Sequence, residues 1–225
     1  MDRLTVGGGD GQAKVADICR RWLARIDGRS VGIVANNPMH LGGVLDVNAA
    51  DKAARFVNLC DAFEIPLLFL QDVPGFMVGT KVEKEGIIRH GAKMLYAVAS
   101  ATVPKLTVVL RKGYGAGYYV MNGRAYEPDA LLAWPGAEIS VMGAEGMVAI
   151  AANKLLAQSE DPEALKQELA ARIRPMIDIY RVAAHAYVDD VIDPRDTRPL
   201  LAHYLRITEG KRLDRAYRKR EISPV

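Results

Sequence analysis

Apolar residues follow two rhythms along this chain, and the rhythms divide it into elements. Short unbroken runs read as buried strands. They are Val31-Gly32-Ile33-Val34-Ala35 within Arg29–Asn37, then Ile65–Gln71 and Leu106–Leu110. Shorter runs follow at Ala130–Trp134 and Glu138–Val141. Elsewhere apolar positions return every three or four residues, which is the spacing of one helix face. That spacing predicts helices over Val15–Ile26, Asn48–Phe63, Glu85–Ala101, Ala144–Ala157, Asp161–Ala186 and Pro199–Arg206, with a short one over Gly115–Asn122. Asn48 or Asp51 is placed to cap the second of these. Asn36-Asn37-Pro38 and Asp72-Val73-Pro74-Gly75 break strands, Asp190–Asp196 is a turn-rich link, and residues 1–14 are polar and glycine-rich. Strands alternating with helices argue an α/β fold with a largely parallel sheet. No short-period repeat or low-complexity linker divides the chain.

Composition narrows the class. The chain has 225 residues, half of them hydrophobic and a quarter charged, which suits one domain with an ample core. A formal charge of +3 is too small to imply nucleic acid. The basic run Arg206, Lys211, Arg212, Arg215, Arg218, Lys219, Arg220 reads as a solvated helix and tail; an acidic partner surface or a phosphate is the alternative. Cys19 and Cys60 form no CxxC, so neither zinc nor a disulfide framework is indicated, and both read as buried thiols in a reducing compartment. No stretch approaches the ~18 apolar residues of a membrane span. Gly7-Gly8-Gly9 stands where a signal peptide would be apolar, so a cytoplasmic setting is expected. His40, His90, His185 and His203 are scattered without ligand spacing, and no metal site is expected.

Candidate chemistry lies in two places. The strand Leu106–Leu110 runs through Arg111-Lys112-Gly113-Tyr114 into Gly115-Ala116-Gly117-Tyr118-Tyr119 at the start of a helix. Glycines there permit backbone angles closed to other residues and let a ligand approach the main chain. The first N–H groups of a helix lack intrahelical partners and can hold an oxygen that gains negative charge. A dinucleotide fingerprint is excluded, because the glycine required at 118 or 120 is Tyr118 or Val120. A purely structural tight turn is the alternative. The second place is the loop Asp72-Val73-Pro74-Gly75-Phe76-Met77-Val78-Gly79-Thr80. It follows a strand's C-terminal end, where parallel sheets bind ligands, though an ordinary connecting loop reads the same way. No HExxH, Gly-x-Ser-x-Gly or phosphate-loop Gly-Lys-Ser/Thr is present. Without a side-chain nucleophile, the pattern fits chemistry done by backbone donors and a carried cofactor.

These segments carry a resemblance. The chain resembles the C-terminal half of the carboxyltransferase (β) subunit of biotin-dependent acyl-CoA carboxylases, of the propionyl-, methylcrotonyl- and acetyl-CoA type. The matching stretches are Val31–Pro38, Asp51–Phe56, Asp72–Phe76, Gly86–Lys93, Ala133-Trp134-Pro135, Ile139–Ala144 and Tyr187–Pro194, in family order over roughly residues 25–200. The resemblance implies a crotonase-like fold of repeated β-β-α units. It divides the chain into a lead-in over 1–25, a carboxybiotin-binding domain over 26–205 and a basic tail over 206–225. It implies transfer of a carboxyl group from N1 of biotin to the α-carbon of an acyl-CoA. The backbone N–H groups of Ala116 and Gly117 would then hold the biotin ureido oxygen. Tyr114, Gly115, Asp72, Pro74, Gly75 and Phe76 would form the cofactor site, and Tyr119 would select the acyl chain. The family's Tyr-Gly-Gly-Ala-Tyr is here Tyr114-Gly115-Ala116-Gly117-Tyr118, as in the methylcrotonyl-CoA type.

The same resemblance implies partners. The family's N-terminal half, with most of the acyl-CoA site, is not matched in this sequence. A subunit carrying that half, a biotin carboxyl carrier protein with its biotin carboxylase, and a homo- or hetero-oligomer are therefore expected. Ala92-Lys93-Met94 is not a biotinylation signal, so biotin would arrive on a partner. The alternatives are a non-catalytic assembly module or fragment, and a subunit of a biotin-dependent acyl-CoA decarboxylase. No nucleic acid or membrane partner is expected.

Overall fold

The computed structural model describes residues 19–213 and residue 224. The first element corrects a sequence expectation. Cys19–Ile26 is strand β1, not part of a helix, and residues 15–18 lie outside the described residues. β1 pairs antiparallel with β2 (Arg29–Asn36) across the two-residue turn Asp27-Gly28, whose φ angles are 50° and 78°. Two positive φ angles make the turn that matches strand twist, and Asp-Gly is its usual sequence. Burial alternates along β1: Ala24 and Ile26 point inward, Arg21, Leu23 and Arg25 outward.

The remaining strands run parallel. β2 pairs with β3 (Leu67–Val73), β3 with β4 (Lys105–Tyr114), and β4 with both β5 (Ala130–Ala133) and β6 (Glu138–Ser140). β7 (Asp190–Val191) closes the far edge against β5. β4 takes two partners on the edge away from β3 because it is ten residues long: Leu106–Val109 faces β5, and Lys112–Tyr114 faces β6. The apolar run alone marked only its first half.

Helices cover both faces. α1 (Val47–Ala62) and α3 (Ile87–Ser100) pack on one face with Val34, Leu67 and Phe69. Ala49, Ala50, Ala53 and Ala54 on α1 and Gly91 and Ala97 on α3 are small, which lets the helices come close. The cap of α1 is Asp46, whose carboxylate accepts from the Ala49 N–H at 2.7 Å; neither Asn48 nor Asp51 takes that place. Asp51 instead reaches across to α3, 2.8 Å from His90 Nδ1 and 3.6 Å from Lys93 Nζ. The helix expected over Glu85–Ala101 is α3, and a short helix that the spacing does not predict, α2 (Thr80–Lys84), precedes it across Gly86. The other face carries Ala24, Ile26, Val31, Leu106 and Leu132 against Leu201 and Leu205 of the last helix. Trp134 Nε1 donates to Thr197 Oγ1 at 2.9 Å and ties the end of β5 to that helix.

A short helix α4 (Gly115–Val120) follows β4 directly. Beyond β6 the two long predicted helices are each divided: α5 (Ala144–Ala151) and α6 (Asn153–Ala157), then α7 (Pro162–Ile177) and α8 (Ile179–Ala184). Asp161 caps α7, with Pro162 in its first turn. α9 (Thr197–Ile207) completes the chain's described helices. Among the described residues no helix is long and apolar enough to cross a membrane.

Candidate active site

The two features singled out in the sequence meet at the C-terminal edge of β3 and β4. β3 and β4 pair in register from Leu67↔Lys105 to Gln71↔Val109, then shift so that Val73 faces Gly113. Such a bulge bends a strand and re-aims the chain beyond it. β3 continues into the loop Pro74-Gly75-Phe76, and β4 into Tyr114 and α4. The loop is clamped by Leu45: its N–H donates to the Gly75 carbonyl at 2.9 Å, and the Met77 N–H donates to the Leu45 carbonyl at 2.8 Å. Phe76 packs over Gly91 of α3; a Cβ at Gly91 would lie 3.1 Å from its ring.

The turn and the loop touch. A Cβ on Gly117 would stand 2.7 Å from Val73 Cγ2 and 3.0 Å from Gly75 Cα, closer than a side chain can stand. Gly115 is constrained from the other side. Its φ is 55°, and a Cβ there would lie 2.9 Å from the Val141 carbonyl oxygen of the loop after β6. Both glycines are therefore required by packing, so the tight-turn reading of this segment is true of the backbone. Ala116 between them is exposed, and Gly117 is buried against the loop. The first N–H groups of α4 have no acceptor within the helix.

The other predicted residues fall around this junction in different ways. Asp72 is buried and points sideways along the sheet. Its carboxylate accepts two hydrogen bonds from Arg111, at 3.2 Å from Nε and 2.9 Å from Nη2, and its N–H donates to Asn36 Oδ1 at 3.3 Å. Hydrogen bonding to Asp72 first, and the carboxylate charge second, hold the Arg111 guanidinium above its ordinary pKa. Tyr114 is buried and donates its hydroxyl to Glu138 of β6. Burial first, then Glu138, raises its pKa, so the phenol stays neutral. Asp72 and Tyr114 thus brace the loop and turn from behind, while Gly75, Ala116 and Gly117 form the junction itself. Tyr119 is 46% exposed one helical step away, edge-on to Tyr118 and Tyr126 at centroid distances of 5.5 and 6.5 Å.

Sequence reasoning missed several supporting residues. Asn36 Nδ2 donates to the Gly43 carbonyl at 3.1 Å while its Oδ1 accepts from Asp72, which joins the ends of β2 and β3. Gln71 is a fully buried amide beneath α4. Its signal was visible: a polar residue directly after four apolar ones in a buried strand. Asp72, the partner that Asn36 and Arg111 share, lies 36 and 39 residues from them and leaves no local pattern. Cys60 is a buried free thiol. Among the described residues no group of three or more His, Cys, Asp or Glu side chains could hold a metal ion.

Comparison with known proteins identifies the fold and the family. The structure matches the crystal structure of a transcarboxylase 12S hexamer with methylmalonyl-coenzyme A and methylmalonic acid bound, at a TM-score of 0.86 and 50% identity, over 93% of this chain and 41% of that one. The fold is crotonase-like. Residues 22–222 match the carboxyl transferase domain, and the chain belongs to that family. It is 53% identical over 198 residues to the methylmalonyl-CoA carboxyltransferase 12S subunit of Propionibacterium freudenreichii subsp. shermanii, covering 88% of this chain and 38% of that protein. It is 46% identical over 203 residues to the methylmalonyl-CoA decarboxylase subunit alpha of Veillonella parvula, covering 90% and 38%. The chain therefore spans about two-fifths of the length of the relatives it matches, as a C-terminal half of a carboxyltransferase β subunit would.

Proposed function

We propose that this chain is the carboxybiotin-binding half of an acyl-CoA carboxyltransferase and works with a subunit that carries the N-terminal half. The observation that carries the reading is the Gly117–Gly75 contact, which fixes the Ala116 and Gly117 amides against the Asp72–Phe76 loop. The donor set suits a ureido oxygen: neutral main-chain N–H groups, set by packing, beside an exposed residue. Carboxybiotin, arriving on a carrier protein, supplies the carboxyl group when bound.

The chain's own residues then bind and orient. The N–H groups of Ala116 and Gly117 would hold the ureido oxygen, where main-chain donors favour the growth of negative charge. One such donor is typically worth ~10²–10³ in rate. Gly115 sets the direction of the turn. Pro74, Gly75 and Phe76 wall the site, with Tyr114 and Asp72 holding it from behind. Tyr119 reaches the acyl side, where its bulk favours a larger or branched acyl group. In this reading residues 26–205 are the carboxybiotin-binding domain, flanked by a lead-in over 1–25 and a basic tail over 206–225, in a cytoplasmic oligomer.

The test is reconstitution. The chain alone, and the chain mixed with the N-terminal half of a carboxyltransferase β subunit, are assayed for carboxyl transfer from methylmalonyl-CoA to free biotin. Transfer only in the mixture is the expected result. No transfer from a folded, associated mixture would overturn the reading in favour of a non-catalytic assembly module. The likeness to a decarboxylase alpha subunit favours a second reading, in which the same half-site runs the transfer from acyl-CoA to biotin within a decarboxylase. Its mark would be net loss of carbon dioxide when membrane partners of such an enzyme are supplied.

A further inference from the structure

Gln71 is fully buried at the bulge between β3 and β4, after the apolar run Leu67-Leu68-Phe69-Leu70. Its Nε2 donates to the Met121 carbonyl at 2.6 Å and lies 3.4 Å from the Tyr118 carbonyl, both at the far end of α4. Its Oε1 has no hydrogen-bond partner among the described residues. A half-satisfied buried amide is a poor way to stabilise a core, because the orphan oxygen costs its full desolvation. A side chain of the same size without polar atoms would carry no such penalty on the glutamine side. The amide is, however, a good way to fix direction. α4 has six residues, too few to hold its own axis without tertiary support. Two residues of β3 supply that support: Val73 abuts Gly117 at one end, and Gln71 grips the Tyr118 and Met121 carbonyls at the other.

We propose that Gln71 is a positioning residue, which aims the Ala116 and Gly117 N–H groups by gripping the far end of α4. It touches neither substrate nor cofactor and acts through the helix. The proposal deepens the carboxybiotin-binding reading and rests on its assignment of Ala116 and Gly117, so the experiment reads the two separately. The full chain is labelled with nitrogen-15, and its Ala116 and Gly117 amide resonances are followed with and without free biotin. Three variants are compared with it. Gln71→Met keeps the size and removes the donor. Gln71→Asn keeps the amide but falls one methylene short, and carries the test if the methionine variant does not fold. Leu205→Ala opens a cavity in the α9 cluster, away from α4, as a control for lost stability alone.

The expected result is that both Gln71 variants shift the Ala116 and Gly117 resonances before any biotin is added. They also weaken biotin binding by about tenfold or more, as misplacing a binding group does. Leu205→Ala leaves both properties at wild type at a similar loss of stability. Folded Gln71 variants with wild-type resonances and wild-type biotin affinity would overturn the proposal and leave Gln71 a merely structural residue. Wild-type amides that ignore biotin would instead remove the functional assignment, and the positioning role would then be judged on the resonance shifts alone.

Discussion

The junction of α4 with the Asp72–Phe76 loop and the paired helices α5 and α7 are built on opposite terms. At the junction, backbone meets backbone: Gly117 lies against Gly75, and Gly115 against the Val141 carbonyl. Tyr114, Gln71 and Asp72, each buried and hydrogen-bonded, support it from below. The α5–α7 pair buries only Ala144, Val148, Ala170 and Ile177, and leaves Ile150 and Met176 largely exposed. Its polar link, Arg174 with Glu145, lies on the surface. The first region leaves no room for a side chain at Gly115 or Gly117, where a Cβ would meet the Val141 carbonyl at 2.9 Å or Val73 at 2.7 Å. The second is a sparse side-chain contact that can adjust. A site whose donors are main-chain groups has no side chain to correct its aim, so its precision must come from packing of this first kind.

Breaking the junction is expected to have the largest effect. Gly117→Val drives its side chain into Val73 and the Gly75 backbone, where even a Cβ has only 2.7 Å and 3.0 Å. Displacement of the turn by about an ångström lowers carboxyl transfer in the reconstituted enzyme by about 10²-fold. Steady-state rates against a thermal melt separate this loss from simple unfolding.

A smaller effect is expected behind the turn. Tyr114→Phe leaves Glu138 without its donor and costs about 1–2 kcal/mol in urea denaturation near pH 7. The pH dependence has a definite sign. Burial and Glu138 raise the folded-state pKa of Tyr114 above its ordinary value of 10.0. Its contribution is therefore fully present below pH 10 and is lost as pH rises through the higher folded value. The difference between wild type and Tyr114→Phe should narrow on that alkaline side.

The smallest effect is expected on the α5–α7 pair. Arg174→Ala removes an ion pair whose two side chains are about half exposed, and it costs less than about 1 kcal/mol. Its loss leaves carboxyl transfer unchanged. A larger stability cost, or a fall in transfer, would show that the two regions are coupled and not separate.

Elements and site residues were legible in the sequence to the extent that their interactions are local. β2, β3 and α1 were legible because their apolar rhythm is set within each element. β1 was misread because Trp22 and Ile26 are four apart, a helical interval, and that interval hid the stronger Asp27-Gly28 hairpin signal. The cap of α1 slipped to Asp46 because three acceptors, Asp46, Asn48 and Asp51, crowd one start site. β4 was cut short because its second half, Leu110–Tyr114, holds charged residues that face Asp72 and β6. Both segments of the candidate site stand out in the sequence as separate motifs, one by its glycines and the other by its strand-end position. Their contact was not legible, since Gly75 and Gly117 meet only through the pairing of β3 with β4. The supports were hidden for the same reason: Gln71 finds its carbonyls 47 and 50 residues on.

In the proposed function, main-chain N–H groups at the turn carry the chemistry. The direct measurement is carboxyl transfer between methylmalonyl-CoA and free biotin, with the N-terminal-half partner present, in Ala116→Pro against wild type. Ala116 is exposed in the first turn of α4, where proline removes an N–H that has no intrahelical acceptor. A fall of about 10²–10³-fold in a variant that a thermal melt shows to be folded is the expected result. A folded Ala116→Pro protein that transfers carboxyl at the wild-type rate would contradict it.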